Sequence, residues 1–287
     1  MSPLLVYRVS GVMVGVKRCD EFPLAHYCRG TLGVCAGRVK ARVALGAVAK
    51  CEHDTMRVDH FTNSRMPAEV LPSIELETAP NPTASVIWLH GLGADGNDFV
   101  PIVPELRLPE SLRVRFVFPH APVRAVTINN GMRMRAWYDI SAADLTNRAD
   151  LAGVRESRAQ LEALIEREDA RGMPTERIVL AGFSQGGAIA LYTGLRYAEG
   201  LAGIMALSTY LIAPDKLALE ARGANRKVPI FMAHGTADPV VRFQWGESSK
   251  RLLETAGYAV EWRSYRMEHS VCVEEVQAIG AWLTKVL

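Results

Sequence analysis

Two regimes of hydrophobic patterning divide the 287-residue chain. From about residue 73 onward, short runs rich in Val, Ile and Phe alternate with longer stretches in which apolar side chains recur every three or four positions. The short runs, bounded by Gly or Pro, predict strands over Ser73–Glu77, Ser85–Leu89, Arg113–Phe118, Arg177–Ala181, Gly203–Leu207, Pro229–Ala233 and Ala259–Tyr265. The longer stretches predict helices over Asp98–Leu106, Leu151–Arg171, Gln185–Ala198, Phe243–Ala256 and Val273–Leu287. In the second of these, Leu151, Val154, Leu161, Leu164 and Ile165 share one face, with Arg and Glu on the other. Asp98 is placed as the N-cap of the first helix. Strands alternating with helices make an α/β protein whose central sheet is mostly parallel and covered by helices on both faces.

Two stretches depart from this rhythm. Pro119–Ala149 reads as a long loop, carrying Asn129-Asn130-Gly131 and the side chains Met132, Met134, Trp137 and Tyr138. Loops of that length inside a compact domain commonly bind ligands, so Trp137 and Tyr138 are expected to border a substrate pocket, the alternative being a small packing cluster. Residues 1–66 show no strand-helix alternation at all. They read as an N-terminal extension, disordered or preceding the native start, with 67–287 as the catalytic domain and Met66 as a natural start. The apolar opening Leu4-Leu5-Val6-Tyr7 is broken by Arg8 and Ser10, too early for a signal-peptide core. Asp20, Glu21, Glu52, Asp54 and Asp59 argue against a transit peptide.

Composition sharpens this division. The chain is 49% hydrophobic and 22% charged with a net charge of +2, a balance that suggests neither nucleic acid nor an anionic membrane as partner. No apolar stretch is long enough for stable insertion across a bilayer. Cys19, Cys28, Cys35 and Cys51 fall in the extension without any Cys-x-x-Cys spacing, and Cys272 alone falls beyond it. The main domain therefore forms no internal disulfide, and a cytoplasmic location is expected.

The candidate chemistry begins at Gly182-Phe183-Ser184-Gln185-Gly186-Gly187, between an expected strand and an expected helix. A serine between glycines at a strand-to-helix turn is a nucleophile elbow, in which the hydroxyl stands clear above the sheet. A serine hydroxyl needs a base within reach and an acid to orient that base. In the order Ser, acid, His, the acid is Asp238, on the loop after the strand ending at Ala233. Its rivals are Glu261 and Glu268, and its alternative role is an Asx-type turn stabiliser. Of seven histidines, only His269 follows Asp238; His234 ends a strand and is read as structural. The oxyanion donors are assigned to the backbone N–H of Gln185, after the nucleophile, and of Leu92, in Leu89-His90-Gly91-Leu92-Gly93. The chain has no Gly-Lys-Ser/Thr and no His-x-x-x-His pair, so neither a nucleotide, another cofactor nor a metal is expected.

Several separate motifs in order carry a resemblance: Leu89-His90-Gly91-Leu92-Gly93-Ala94-Asp95, Arg135-Ala136-Trp137-Tyr138-Asp139, the elbow, Leu207-Ser208-Thr209-Tyr210, His234-Gly235-Thr236-Ala237-Asp238 and Met267-Glu268-His269. From about Glu75 to the C-terminus the chain resembles the carboxylesterase, lysophospholipase and acyl-protein thioesterase family of α/β-hydrolases. The resemblance implies an α/β-hydrolase fold, the triad Ser184, Asp238 and His269, oxyanion donors Leu92 and Gln185, and no cofactor. It further implies an open, shallow site without a helical lid, lined by residues such as Leu92, Trp137 and Leu211. The motif wording is closest to the bacterial carboxylesterase branch, so the expected substrate is a small-molecule carboxylic ester of short to medium chain. A lysophospholipase or protein S-acyl thioesterase is the alternative, and a hydrolase-like binding protein without turnover is the alternative of another class. A homodimer is left open. If the extension lies outside the catalytic domain, a protein starting at Met66 keeps full kcat/KM; aggregation of that truncated form, or protection of residues 1–66 from limited proteolysis, would overturn this expectation.

Overall fold

The computed structural model describes residues 70–141 and 150–287. The extension 1–66 and the 142–149 part of the long loop lie outside the described residues. The strands are β1 (Ser73–Glu77), β2 (Ala84–Leu89), β3 (Val114–Pro119), β4 (Val123–Val126), β5 (Met132–Arg135), β6 (Ile178–Phe183), β7 (Gly203–Leu207), β8 (Ile230–Gly235) and β9 (Val260–Tyr265). The α-helices are α1 (Leu151–Ala170), α2 (Gln185–Gly194), the single turn α3 (Leu217–Glu220), α4 (Phe243–Thr255) and α5 (Val273–Val286).

Seven strands form one sheet in the order β1-β3-β2-β6-β7-β8-β9. Every neighbouring pair is parallel except β1 with β3, which is antiparallel. Successive side chains of a strand point to opposite faces, and both faces are buried. Ile87 and Leu89 of β2 join Val154, Leu161, Leu164, Ala188 and Leu191 of α1 and α2 in one core. Val86 and Trp88 join Ile279, Trp282 and Leu283 of α5 in the other. Each such aliphatic side chain taken from water contributes about 1.5–3 kcal/mol, which is why these strands read as unbroken apolar runs. The expected α/β-hydrolase fold is present.

The helix expected over Asp98–Leu106 is instead a 3-10 segment over Val100–Leu106. Pro101 and Pro104 remove backbone donors there, so an α-helical ladder cannot form. Asp98 is not its cap: the segment starts after Phe99 and has no side-chain cap. Burial, with Asp95 nearby, pushes the Asp98 carboxyl up to about 6. Part of the stretch expected to be a loop is a hairpin, with Val123 opposite Arg135 and Val126 opposite Met132. Its turn uses Asn130 at φ 56° and Gly131 at φ 74°, the left-handed conformation that Asn-Gly favours. Val123, Met132 and Arg133 are exposed, so the hairpin lacks the buried-face alternation by which strands are recognised.

Parallel strands send all their C-terminal ends to one edge, where open α/β sheets bind ligands. The loops after β2, β6, β7, β8 and β9 gather at that edge. The opposite end is clamped by a buried carboxylate. Glu168 of α1 accepts from Ser85 Oγ at 3.0 Å and pairs with Arg115 at 3.0 Å and Arg171 at 3.1 Å. Arg115 and Arg171 in turn hold Glu77 and Glu75 of β1, each at 2.9 Å. Removing one partner of such a pair leaves buried charge without compensation. Glu168→Ala is therefore expected to lower unfolding stability by about 3 kcal/mol in urea titrations and to leave kcat unchanged. An unchanged midpoint would show that the clamp contributes nothing.

Candidate active site

Ser184 follows β6 and precedes α2, with φ 54° and ψ −121°. A non-glycine residue there costs of order 1–3 kcal/mol and persists only when its surroundings hold it. Three hydrogen bonds do so. Ser184 N–H donates to Leu207 O at 2.8 Å, and its carbonyl accepts from Thr209 Oγ1 at 2.6 Å and from Ala188 N–H at 3.1 Å. A Cβ on Gly182 would collide with the Gly186 carbonyl, and one on Gly186 would lie 2.5 Å from the carbonyls of Leu89 and His90. The two glycines thus let β6, α2 and the end of β2 meet backbone to backbone. Ser184 occupies the N-cap position yet makes no capping bond. The hydroxyl that would ordinarily satisfy a first-turn N–H is left free.

Asp238 lies on the loop after β8, 7% exposed. Its Oδ1 accepts from Val240 N–H at 2.8 Å and Val241 N–H at 2.9 Å, the Asx turn considered as its alternative role. Its Oδ2 accepts from His269 Nδ1 at 2.7 Å. The residue expected as orienting acid therefore also makes the Asx turn. Burial pushes the carboxyl up, but the nearby His234, the His269 hydrogen bond and charge, and the Val240 N–H together hold it down at about 2. With a folded value below the ordinary one, the carboxylate contributes stability above about pH 4 that is lost as pH falls toward 2.

His269 sits between β9 and α5, its ring 4.7 Å from that of Phe183, the residue before Ser184. Thr236 N–H to Tyr265 O (2.8 Å) and Ala237 N–H to Met267 O (3.1 Å) sew the acid loop to the histidine loop. Because the carboxylate only accepts, Nδ1 carries the proton and Nε2 keeps its lone pair for a substrate or nucleophile proton. Glu261 and Glu268 make no hydrogen bond to His269 among the described residues.

The loop after β2 closes on the elbow from the other side. A Cβ on Gly91 would lie 3.6 Å from Ser184 Cβ, which puts Gly91 beside the elbow serine. Gly93 N–H donates to Arg135 O at 2.9 Å and holds the loop in place. The first intrahelical acceptor of α2 is Ser184 O, so the N–H of Gln185 belongs to the open first turn of the helix.

Patterning missed two supports here. The Gln185 side chain accepts from Trp137 N–H at 2.9 Å and donates to Tyr138 O at 2.7 Å. His90 Nε2 accepts from Ala121 N–H at 3.1 Å, so its Nδ1 carries the proton toward Gly91 O at 2.7 Å. Burial holds that ring down at about 4, and it stays neutral. The signal for both was their position next to Gly and Ser in the two loop motifs.

Trp137, Tyr138 and Leu211, expected in the pocket wall, are 1%, 1% and 2% exposed. Trp137 spends its indole N–H on His90 O at 2.9 Å, and Tyr138 meets Tyr210 hydroxyl to hydroxyl at 2.6 Å. Leu211 N–H donates to Ser249 Oγ at 2.8 Å. These three are buried in the core shared with α1 and α2, whereas Leu92 is half-buried.

Residues 72–287 match the phospholipase/carboxylesterase family. The chain belongs to that family. Acyl-protein thioesterase 1 of Neurospora crassa is 42% identical over 233 residues, covering 78% of this chain and 93% of the relative. Acyl-protein thioesterase 1 of Yarrowia lipolytica is 40% identical over 217 residues, covering 74% and 96%. Among solved structures, Zea mays acyl-protein thioesterase 2 superposes with a TM-score of 0.65 at 29% identity, covering 74% of this chain and 98% of that one. This phospholipase/carboxylesterase family member is accordingly a hydrolase of ester-type bonds. Among its described residues, no helix is long and apolar enough to cross a membrane.

With Ser184 as nucleophile, Ser184→Ala folds and loses at least about 1,000-fold in kcat; retention of even a hundredth of the wild-type rate would reject the assignment. His269 must be neutral to accept a proton, while Asp238 stays ionised across the working range. A plot of kcat/KM against pH therefore rises through one limb as the base loses its proton. A flat profile from pH 5 to 9 would exclude a histidine base.

Proposed function

We propose that the protein is a serine hydrolase that cleaves acyl thioesters on protein cysteines through an acyl-enzyme on Ser184. One observation carries the catalytic part: the imidazole of the 2.7 Å Asp238–His269 hydrogen bond packs on Phe183, next to an elbow serine whose hydroxyl caps nothing. In this reading Ser184 Oγ attacks the acyl carbonyl as His269 Nε2 takes its proton. The N–H groups of Leu92 and Gln185 hold the oxyanion, aided by the positive end of α2. Collapse expels the cysteine thiolate, which leaves as thiol with the proton from His269. Water activated by the same histidine then releases the fatty acid and restores Ser184.

The choice of thioester over small carboxylic ester rests on the relatives. Both curated relatives described above bear the name acyl-protein thioesterase 1, and each is matched over more than nine-tenths of its length. This reading takes the alternative drawn from the sequence in preference to the short-chain ester. Half-buried Leu92 would flank the acyl chain, with the buried Trp137 and Leu211 supporting it from the core. The sole cysteine of residues 67–287, Cys272, is compatible with action in the reducing cytoplasm.

The purified enzyme is expected to release palmitate from an S-palmitoylated peptide, and Ser184→Ala to release none. Rapid turnover of two- to four-carbon esters with no palmitate release from the peptide would restore the small-ester reading.

A further inference from the structure

His234 ends β8 and makes no part of the reaction described above. It is 1% exposed, and its surroundings fix the ring closely. Phe243 meets it edge-on at 5.9 Å, and the Trp262 ring lies 6.2 Å away. Gly246 of α4 closes the third side: a Cβ there would collide with His234 Nδ1. A glycine inside a helix costs about 1 kcal/mol relative to alanine, and the imidazole occupies the space that an alanine methyl would need. His234 Nε2 donates to Val241 O at 2.8 Å, so Nε2 carries the proton. That same N–H lies 3.5 Å from Asp238 Oδ2, the oxygen that receives His269.

We propose that His234 is a positioning residue for the Asp238 carboxylate, acting on both of its oxygens. The inference rests on the triad reading and deepens it. One route is direct. The Nε2–H, directed at Val241 O, lies close enough to Oδ2 for its dipole to stabilise the charge that Oδ2 carries. The other route runs through Val241. His234 holds the Val241 carbonyl, and the N–H of Val241 holds Asp238 Oδ1 at 2.9 Å. Fixing that residue fixes the turn that aims the carboxylate. A hydrophobic side chain of similar size would fill the same space and supply neither route. Glutamine would supply a donor near the position of Nε2.

Removing the donor loosens the carboxylate and concentrates its charge toward His269, which favours the imidazolium form. His234→Leu is therefore expected to lose about ten-fold in kcat, with KM within about two-fold and the ascending kcat/KM limb moved to higher pH. The downfield proton resonance of His269 Nδ1–H should shift with it. His234→Gln should recover most of the rate and the wild-type limb. Gly246→Ala, which keeps the donor but displaces the ring, should move the limb in the same direction as His234→Leu. It carries the test if His234→Leu fails to fold. A folded His234→Leu with wild-type kcat and limb, or equal losses in the leucine and glutamine variants with no shift of the limb, would overturn the proposal. Asp238→Asn separates the two readings. Full activity in that variant would overturn the triad itself, whereas a dead Asp238→Asn beside a normal His234→Leu would overturn only the role of His234.

Discussion

Everything at the site depends on one backbone crossing. At Ser184 the chain leaves β6 and turns into α2 at a φ that an L-residue adopts only under constraint. The constraint is steric and reciprocal. Gly182 lies against the Gly186 carbonyl, and Gly186 lies against the end of β2, so three elements touch through main-chain atoms alone. Four buried strands surround that point, and the carbonyl and N–H of Ser184 are both spent on neighbours. The strain is local, while the packing that holds it is distributed over both cores.

The same crossing organises the polar groups. Because the strands are parallel, the ends of β2, β6, β8 and β9 arrive at one edge, and each brings one functional loop. A carboxylate at this depth is costly unless hydrogen bonds replace its water. Asp238 receives two backbone N–H groups and one imidazole, enough to keep it ionised at about 2 despite burial. On the other side, Gln185, His90 and Trp137 use side-chain hydrogen bonds to fasten the loop after β2 to the start of α2. Rigid support of this kind is what oxyanion stabilisation requires, since preorganised donors need not reorient as charge develops. The Glu168 clamp sits at the far end of the sheet, so stability and chemistry are loaded at opposite edges.

Much of this was legible in the residues. Fully buried parallel strands must be apolar throughout, so their runs stand out; β7 matches the expected boundaries and β2, β6 and β8 differ by one or two residues at an end. Where burial is one-sided or absent, the signal fades. The β4–β5 hairpin is solvated along Val123, Met132 and Arg133, and its Asn-Gly turn was the one mark it carried. Pro101 and Pro104 held the information that the segment before Leu106 is not α-helical, but the apolar spacing around them suggested otherwise. Asp98 was misplaced for the same reason, because a cap has meaning only where a helix begins.

The sequence by itself determined the fold class and the order of the candidate chemical groups. Glycine at a backbone contact, a serine between glycines, and an acid and a histidine after late strands are local requirements, and local requirements are written in neighbouring residues. Tertiary structure alone decided which groups meet. Asp238 and His269 are 31 positions apart and share a 2.7 Å hydrogen bond, while Trp137 and His90 are 47 apart and share one of 2.9 Å. It also decided that Trp137, Tyr138 and Leu211 are buried in the core, and that His234 lies close to Asp238 with Gly246 making room for it. Such pairings depend on strand order and on distances set by packing in two cores, which no pattern along a single stretch of chain encodes.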